Sequence, residues 1–146
     1  MGIFSLISSG FSRSPSAGRI YGRVLKPDAM RVVEQRWETV EQLISGGKPS
    51  QLRQAVVEAD KILDYSLSQL CSGNSLGERL KTAKDLYSDE IYSKLWDAHK
   101  TRNTLVHDVN SEISTILCRD AVNSIKAGLI AVGFRPLGGR FKGWHK

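Results

Sequence analysis

An arginine, a carboxamide and a histidine fall within six residues of one another in the segment His99-Lys100-Thr101-Arg102-Asn103-Thr104-Leu105-Val106-His107-Asp108. These are the side chains that a phosphodiester site working without a metal requires. A guanidinium holds two phosphate oxygens at once, and an imidazole gives or takes a proton near neutrality more readily than any other side chain. The spacing alone is weak, because Arg140 and His145 repeat it in the Gly-rich C-terminal stretch. The elements that carry each pair must decide between them.

Apolar spacing places Arg102 on the fourth of five expected helices in an all-α chain. The first starts after Pro27 with Asp28 as its cap and runs to Ser45, carrying Val33, Trp37, Val40 and Ile44 at helical intervals. Gly46-Gly47-Lys48-Pro49 stops it. The second, capped by Ser50, carries a stripe of Leu52, Ala55, Val56, Ala59, Ile62, Leu63, Leu67 and Leu70 and ends at Ser72-Gly73-Asn74. Ser75-Leu76-Gly77-Glu78 is a capping box opening a shorter third helix, with Leu76, Leu80 and Ala83 inward. The fourth begins near Ser88, aligns Ile91, Leu95, Ala98, Arg102 and Leu105, and ends near Asp108. The fifth is capped by Ser111 and carries Ile113, Leu117, Ala121, Ile125, Leu129 and Val132 up to Gly133. Connections this short make neighbouring helices antiparallel, so the expected architecture is an up-and-down bundle of four to five helices.

A chain of 146 residues suits one domain, burying roughly 68–70% of its unfolded surface. Its two cysteines, Cys71 and Cys118, each fall on an apolar helical face and read as buried thiols of a reducing compartment. The net charge of +6 is unevenly spread. Arg13, Arg19, Arg23 and Lys26 lie in residues 1–27, and Arg135, Arg140, Lys142 and Lys146 in residues 134–146, with no acid in either stretch. Residues 28–133 hold 13 basic against 15 acidic side chains. Three segments follow: a basic, partly apolar N-terminal tail (1–27), the bundle (28–133), and a basic aromatic C-terminal tail (134–146) with Phe134, Phe141 and Trp144.

Cations interleaved with aromatics suit phosphate binding with base stacking, or an anionic membrane surface, or solubilisation alone. Ile3, Phe4, Leu6, Ile7 and Phe11 could lie along a membrane interface, giving residues 1–27 a peripheral contact. No apolar run approaches the 18 residues of a span. No positive charge precedes the apolar stretch as in a secretory signal, and Leu6 breaks the myristoylation pattern. The expected location is the cytoplasm, free or at the inner membrane face.

Arg102 continues the apolar line of its helix, whereas Trp96, Asn103 and His107 form an adjacent stripe. The arginine therefore points toward a neighbouring helix and the histidine sits on the rim. An arginine so placed needs an anion. Glu58, Asp60 and Asp64 on the second helix are the candidate partners, and a structural salt bridge is the plain alternative to a phosphate site.

Trp96-Asp97-Ala98-His99-Lys100-Thr101-Arg102-Asn103-Thr104-Leu105-Val106-His107, following the acidic apolar helix Leu52 through Asp64, resembles the HEPN superfamily of small helical domains. Its signature is Arg, often followed by Asn, then His four to six residues later. The likeness covers about residues 30–133. It implies a dimeric four-to-five-helix bundle with the Arg and His of both chains in a shared cleft. It also implies metal-independent endoribonuclease activity of toxin or defence type, often beside a nucleotidyltransferase-like antitoxin. Some members instead bind nucleotides or RNA, or act as scaffolds, without catalysis. Arg102, Asn103 and His107 are the positions that match.

Attack by a 2′-hydroxyl needs a base for that hydroxyl, an acid for the leaving oxygen and a cation for the charged phosphorane. His99 lies eight residues from His107, roughly 12 Å along the helix axis, too far for both to serve one phosphate. A two-fold dimer would bring a second His107 instead. The roles expected are His107 as general acid/base, Arg102 as phosphate clamp and Asn103 as orienting amide. No cofactor or metal is expected: the sequence has no Gly-rich phosphate loop, nucleophile elbow, zinc-spaced Cys or His pair, or magnesium-type acidic cluster.

Overall fold

A computed structural model of the chain describes residues 18–108, 110 and 112–136. Five α-helices form a bundle: α1 (Pro27–Gly46), α2 (Pro49–Leu70), α3 (Leu76–Thr82), α4 (Asp89–His107) and α5 (Thr115–Ala131), with a short 3-10 turn at Ala83–Leu86. The central helix is α2, which packs against each of the other four, while α4 and α5 lie along one another. All eight residues of the expected α2 stripe are buried, with Val33, Trp37 and Val40 of α1 and Leu76, Leu80 and Ala83 around α3. Gly128 lets α4 and α5 pack closely: a Cβ there would meet Leu95 Cδ2 at 2.6 Å. No helix among the described residues is long and apolar enough to cross a membrane.

The helix starts differ from expectation where proline or a second serine competes. At α1 the cap is Lys26 rather than Asp28, and at α2 it is Lys48 rather than Ser50, because Pro27 and Pro49 take the first helical position. Proline's fixed φ suits that position, and its missing N–H is one that would have no helical partner anyway. Asp28 instead pairs with Arg31 in the first turn. Ser75, Ser88 and Ser114 cap α3, α4 and α5, each accepting from the N–H three residues on. The reciprocal arm at α3 is shifted by one residue: Glu78 accepts from Asn74 N–H at 2.7 Å. Ser111, expected as the α5 cap, lies outside the described residues. Ile113 accordingly packs on the core from the connection, and Leu117, expected inward, is 52% exposed.

Leu25 and Phe134, on either side of residues 28–133, are buried against the bundle, and the stretch of chain before α1 is bonded to two helix ends. The last carbonyls of a helix lack internal partners, and the N-terminal strap supplies them at two helix ends. Tyr21 N–H donates to the Leu70 carbonyl of α2 at 2.7 Å, and Leu25 N–H to the Val132 carbonyl beyond α5 at 2.9 Å. Arg19 and Ser72 exchange two further hydrogen bonds, of 2.8 and 2.9 Å. Leu25 is buried, and Phe134 is buried edge-on to Trp37 with ring centroids 5.7 Å apart.

Phe134→Ala is therefore expected to cost about 3–5 kcal/mol, the usual range for a buried phenylalanine. A chain trimmed to 28–133 should unfold at lower denaturant than one spanning 18–136. Unchanged midpoints would show that the strap and Phe134 pack without stabilising.

Candidate functional site

The three residues singled out above sit on the last two turns of α4, and the structure treats them differently. Arg102 and Asn103 are half-buried and bonded to one another, Arg102 Nη1 donating to Asn103 Oδ1 at 3.1 Å. His107, the last residue of α4, is exposed, and its imidazole makes no hydrogen bond or ion pair among the described residues. Asn103 and His107 are four apart and share a helix face, with Arg102 on the adjoining one. Along the axis Arg102 and His107 are about 7.5 Å apart. Thr101 and Thr104 turn their hydroxyls back onto the Asp97 and Lys100 carbonyls, at 3.0 and 3.1 Å, and so are occupied within the helix.

The anion opposite Arg102 is Asp60, one of the three partners expected from the sequence. Its side chain is only 6% exposed, and Arg102, 28% exposed, places Nε 3.4 Å from Asp60 Oδ2. That is an ion-pair distance, although the Nε–H is not aligned as a hydrogen bond. The other two carboxylates are engaged elsewhere. Glu58 accepts from Gln54 at 2.8 Å and pairs with Lys61 at 3.3 Å, and Asp64 pairs with Arg79 at 2.5 Å.

A fourth residue completes the cluster. His99 Nδ1 lies 3.0 Å from Asp60 Oδ1, and its Nε2 lies 3.5 Å from Asn103 Nδ2. The imidazole is 14% exposed and meets the Trp96 ring edge-on with centroids 6.1 Å apart, and Tyr92 also meets Trp96 edge-on, at 6.4 Å. Sequence reasoning measured His99 only against His107. The signal that could have found it is its spacing, three residues before Arg102 and four before Asn103, which makes it a neighbour of both on the helix surface.

Elsewhere the potential chemistry is muted. Burial pushes the Cys71 and Cys118 thiols up, against the pull of Arg79 and Arg53 respectively, which leaves them poor nucleophiles. Among the described residues no group of three or more His, Cys, Asp or Glu side chains gathers as a metal cage. An open groove of about 740 Å³ runs between α4 and α5, lined by Ile91, Lys94, Asp97, Thr101, Leu117 and Asp120 among others. It does not include Arg102, Asn103 or His107. No protein-family profile matches the sequence, and neither a curated protein nor a solved structure matches it.

Asp60→Asn should cost about 2–4 kcal/mol, somewhat less than loss of one partner from a fully buried pair, because Arg102 keeps some contact with water. A double-mutant cycle with Arg102→Gln, read by denaturant unfolding, should give a coupling of roughly 0.5–3 kcal/mol. A coupling near zero would mean that the two charges do not support one another.

Proposed function

We propose that this chain is an RNA-acting domain of HEPN type, a metal-independent endoribonuclease in which His107 is the general acid/base, Arg102 the phosphate clamp and Asn103 the orienting amide. The observation that carries this reading is the contrast within one helix end: an arginine braced from behind by Asp60 and Asn103, and a solvent-facing histidine just beyond it. Bracing fixes a guanidinium in advance, which is what phosphate recognition rewards. Its Nη2 makes no hydrogen bond among the described residues and keeps donors for phosphate oxygens.

One specific observation favours a second reading. Asp60 already balances the charge of Arg102, as a purely structural ion pair would, and the domain would then bind RNA or nucleotides, or serve as a scaffold, without cleaving. The two readings part at His107, which the structural pair does not involve.

Purified protein should cleave single-stranded RNA in the presence of EDTA and leave 2′,3′-cyclic phosphate ends. His107→Ala should abolish cleavage while the helical circular-dichroism signal stays intact. Cleavage that survives the change, or that appears only with added magnesium, would overturn the assignment.

With one such histidine per chain, a two-fold dimer is proposed to supply the second. Sedimentation at micromolar concentration should report twice 16.2 kDa. A strict monomer with full activity would remove the need for a composite site.

A further inference from the structure

Four polar side chains close a ring on the α2-facing side of α4. Asp60 Oδ1 faces His99 Nδ1 at 3.0 Å, and His99 Nε2 faces Asn103 Nδ2 at 3.5 Å. Asn103 Oδ1 faces Arg102 Nη1 at 3.1 Å, and Arg102 Nε returns to Asp60 Oδ2 at 3.4 Å. Donor and acceptor rules leave this ring one self-consistent arrangement of protons. A guanidinium only donates, so the Asn103 atom facing Arg102 must be its oxygen. The amide nitrogen then faces His99 and donates, so Nε2 must be bare. The one remaining imidazole proton sits on Nδ1 and points at the Asp60 carboxylate, which accepts it. A proton on Nε2 would set donor against donor at Asn103. Flipping the amide to relieve that clash would set donor against donor at Arg102.

We infer that His99 is a positioning residue of the Arg102 site: a neutral imidazole, protonated at Nδ1, that fixes the Asn103 amide and through it the Arg102 guanidinium. His99 touches no substrate in this scheme. Its Nδ1–H satisfies one oxygen of a nearly buried carboxylate, and its Nε2 holds Asn103 in the only orientation that accepts from Arg102. The ring is neutral overall, with Asp60 against Arg102, and the edge-on contact with Trp96 keeps the imidazole plane in place. The plain alternative gives His99 a single task, satisfying Asp60, with Asn103 an incidental neighbour.

Two near-isosteric changes separate these roles. In His99→Asn the side-chain amide nitrogen falls near the place of Nδ1, keeping the bond to Asp60 and losing Asn103. In His99→Gln the carbonyl oxygen falls near the place of Nε2, keeping Asn103 and losing Asp60. Long-range proton–nitrogen correlation on ¹⁵N-labelled full-length protein should show His99 with its proton on Nδ1. The Asn103 side-chain amide should give a displaced, protected signal that persists in His99→Gln and collapses to the free-amide position in His99→Asn. The functional arm rests on the ribonuclease reading above. There His99→Asn should lower kcat on single-stranded RNA by about 10- to 100-fold, as expected when a reacting group is misplaced by about an ångström, and His99→Gln should recover most of it. An Nε2-protonated His99 in the wild type would overturn the inference, as would the reverse order of the two variants in the Asn103 signal. If the wild type cleaves no RNA, the ribonuclease reading falls while the tautomer and the Asn103 signal still decide the positioning role. If either variant fails to fold, the wild-type Asn103 amide decides it: a displaced, protected signal supports the positioning role, and a free-amide signal overturns it.

Discussion

The constraint on which the site depends is the carboxylate of Asp60, held almost out of water in the seam between α2 and α4. A charge removed from water persists only where counter-charge and hydrogen bonds replace its hydration. Here both come from α4, through Arg102 and His99, which are three residues apart and so lie on one side of that helix. That demand sets the rotation of α4 about its own axis. With Arg102 and His99 turned toward α2, Leu95 and Ala98 enter the core, Trp96 and Asn103 flank the pair, and His107 is left facing solvent at the helix end. The Gly128 notch in α5 lets α4 sit close enough for this register to be held from both sides.

Much of the bundle was legible because burial by other helices leaves a periodic trace. The α2 stripe is apolar along its whole length, since α2 touches every other helix and must bury successive faces of itself. What periodicity could not show is burial in irregular chain. Leu25 and Phe134 belong to no repeating pattern, yet each fills the core beside a helix end, and their backbone bonds answer carbonyls that the helices leave open. The helix starts differ for a related reason: at Pro27 and Pro49 a rigid ring takes the first helical position ahead of a good capping side chain, and at α2 the Gln51 side chain accepts from the Lys48 N–H at 3.2 Å.

At the site, the motif on α4 was legible as a pattern of residue types, and its anchor was narrowed to three acids. Choosing among Glu58, Asp60 and Asp64 required knowing that the other two face Lys61 and Arg79. Along one helix His99 is too far from His107 to share a phosphate with it. Across the seam to α2 it is adjacent to the one carboxylate that matters. Spacing on a single helix ranks residues by shared face, whereas a polar cluster is assembled from two helices, and the second contribution is invisible until they pack.

A site whose own charges cancel attracts an anion only at short range. On the reading proposed above, Asp60 and Arg102 supply geometry, and the long-range pull on a polyanion must come from elsewhere, because a field that steers association is set by the charge of the whole surface. Packing of the strap supplies part of it. With Arg19, Arg23, Lys26 and Arg135 counted into the body, residues 18–136 carry seventeen basic against fifteen acidic side chains, reversing the sign of residues 28–133 taken alone. The segment that answers the open carbonyls of α2 and α5 therefore also turns a weakly acidic bundle into a weakly basic one. Removing it would take away core packing and attraction together, while leaving the Asp60 ring with all four of its members.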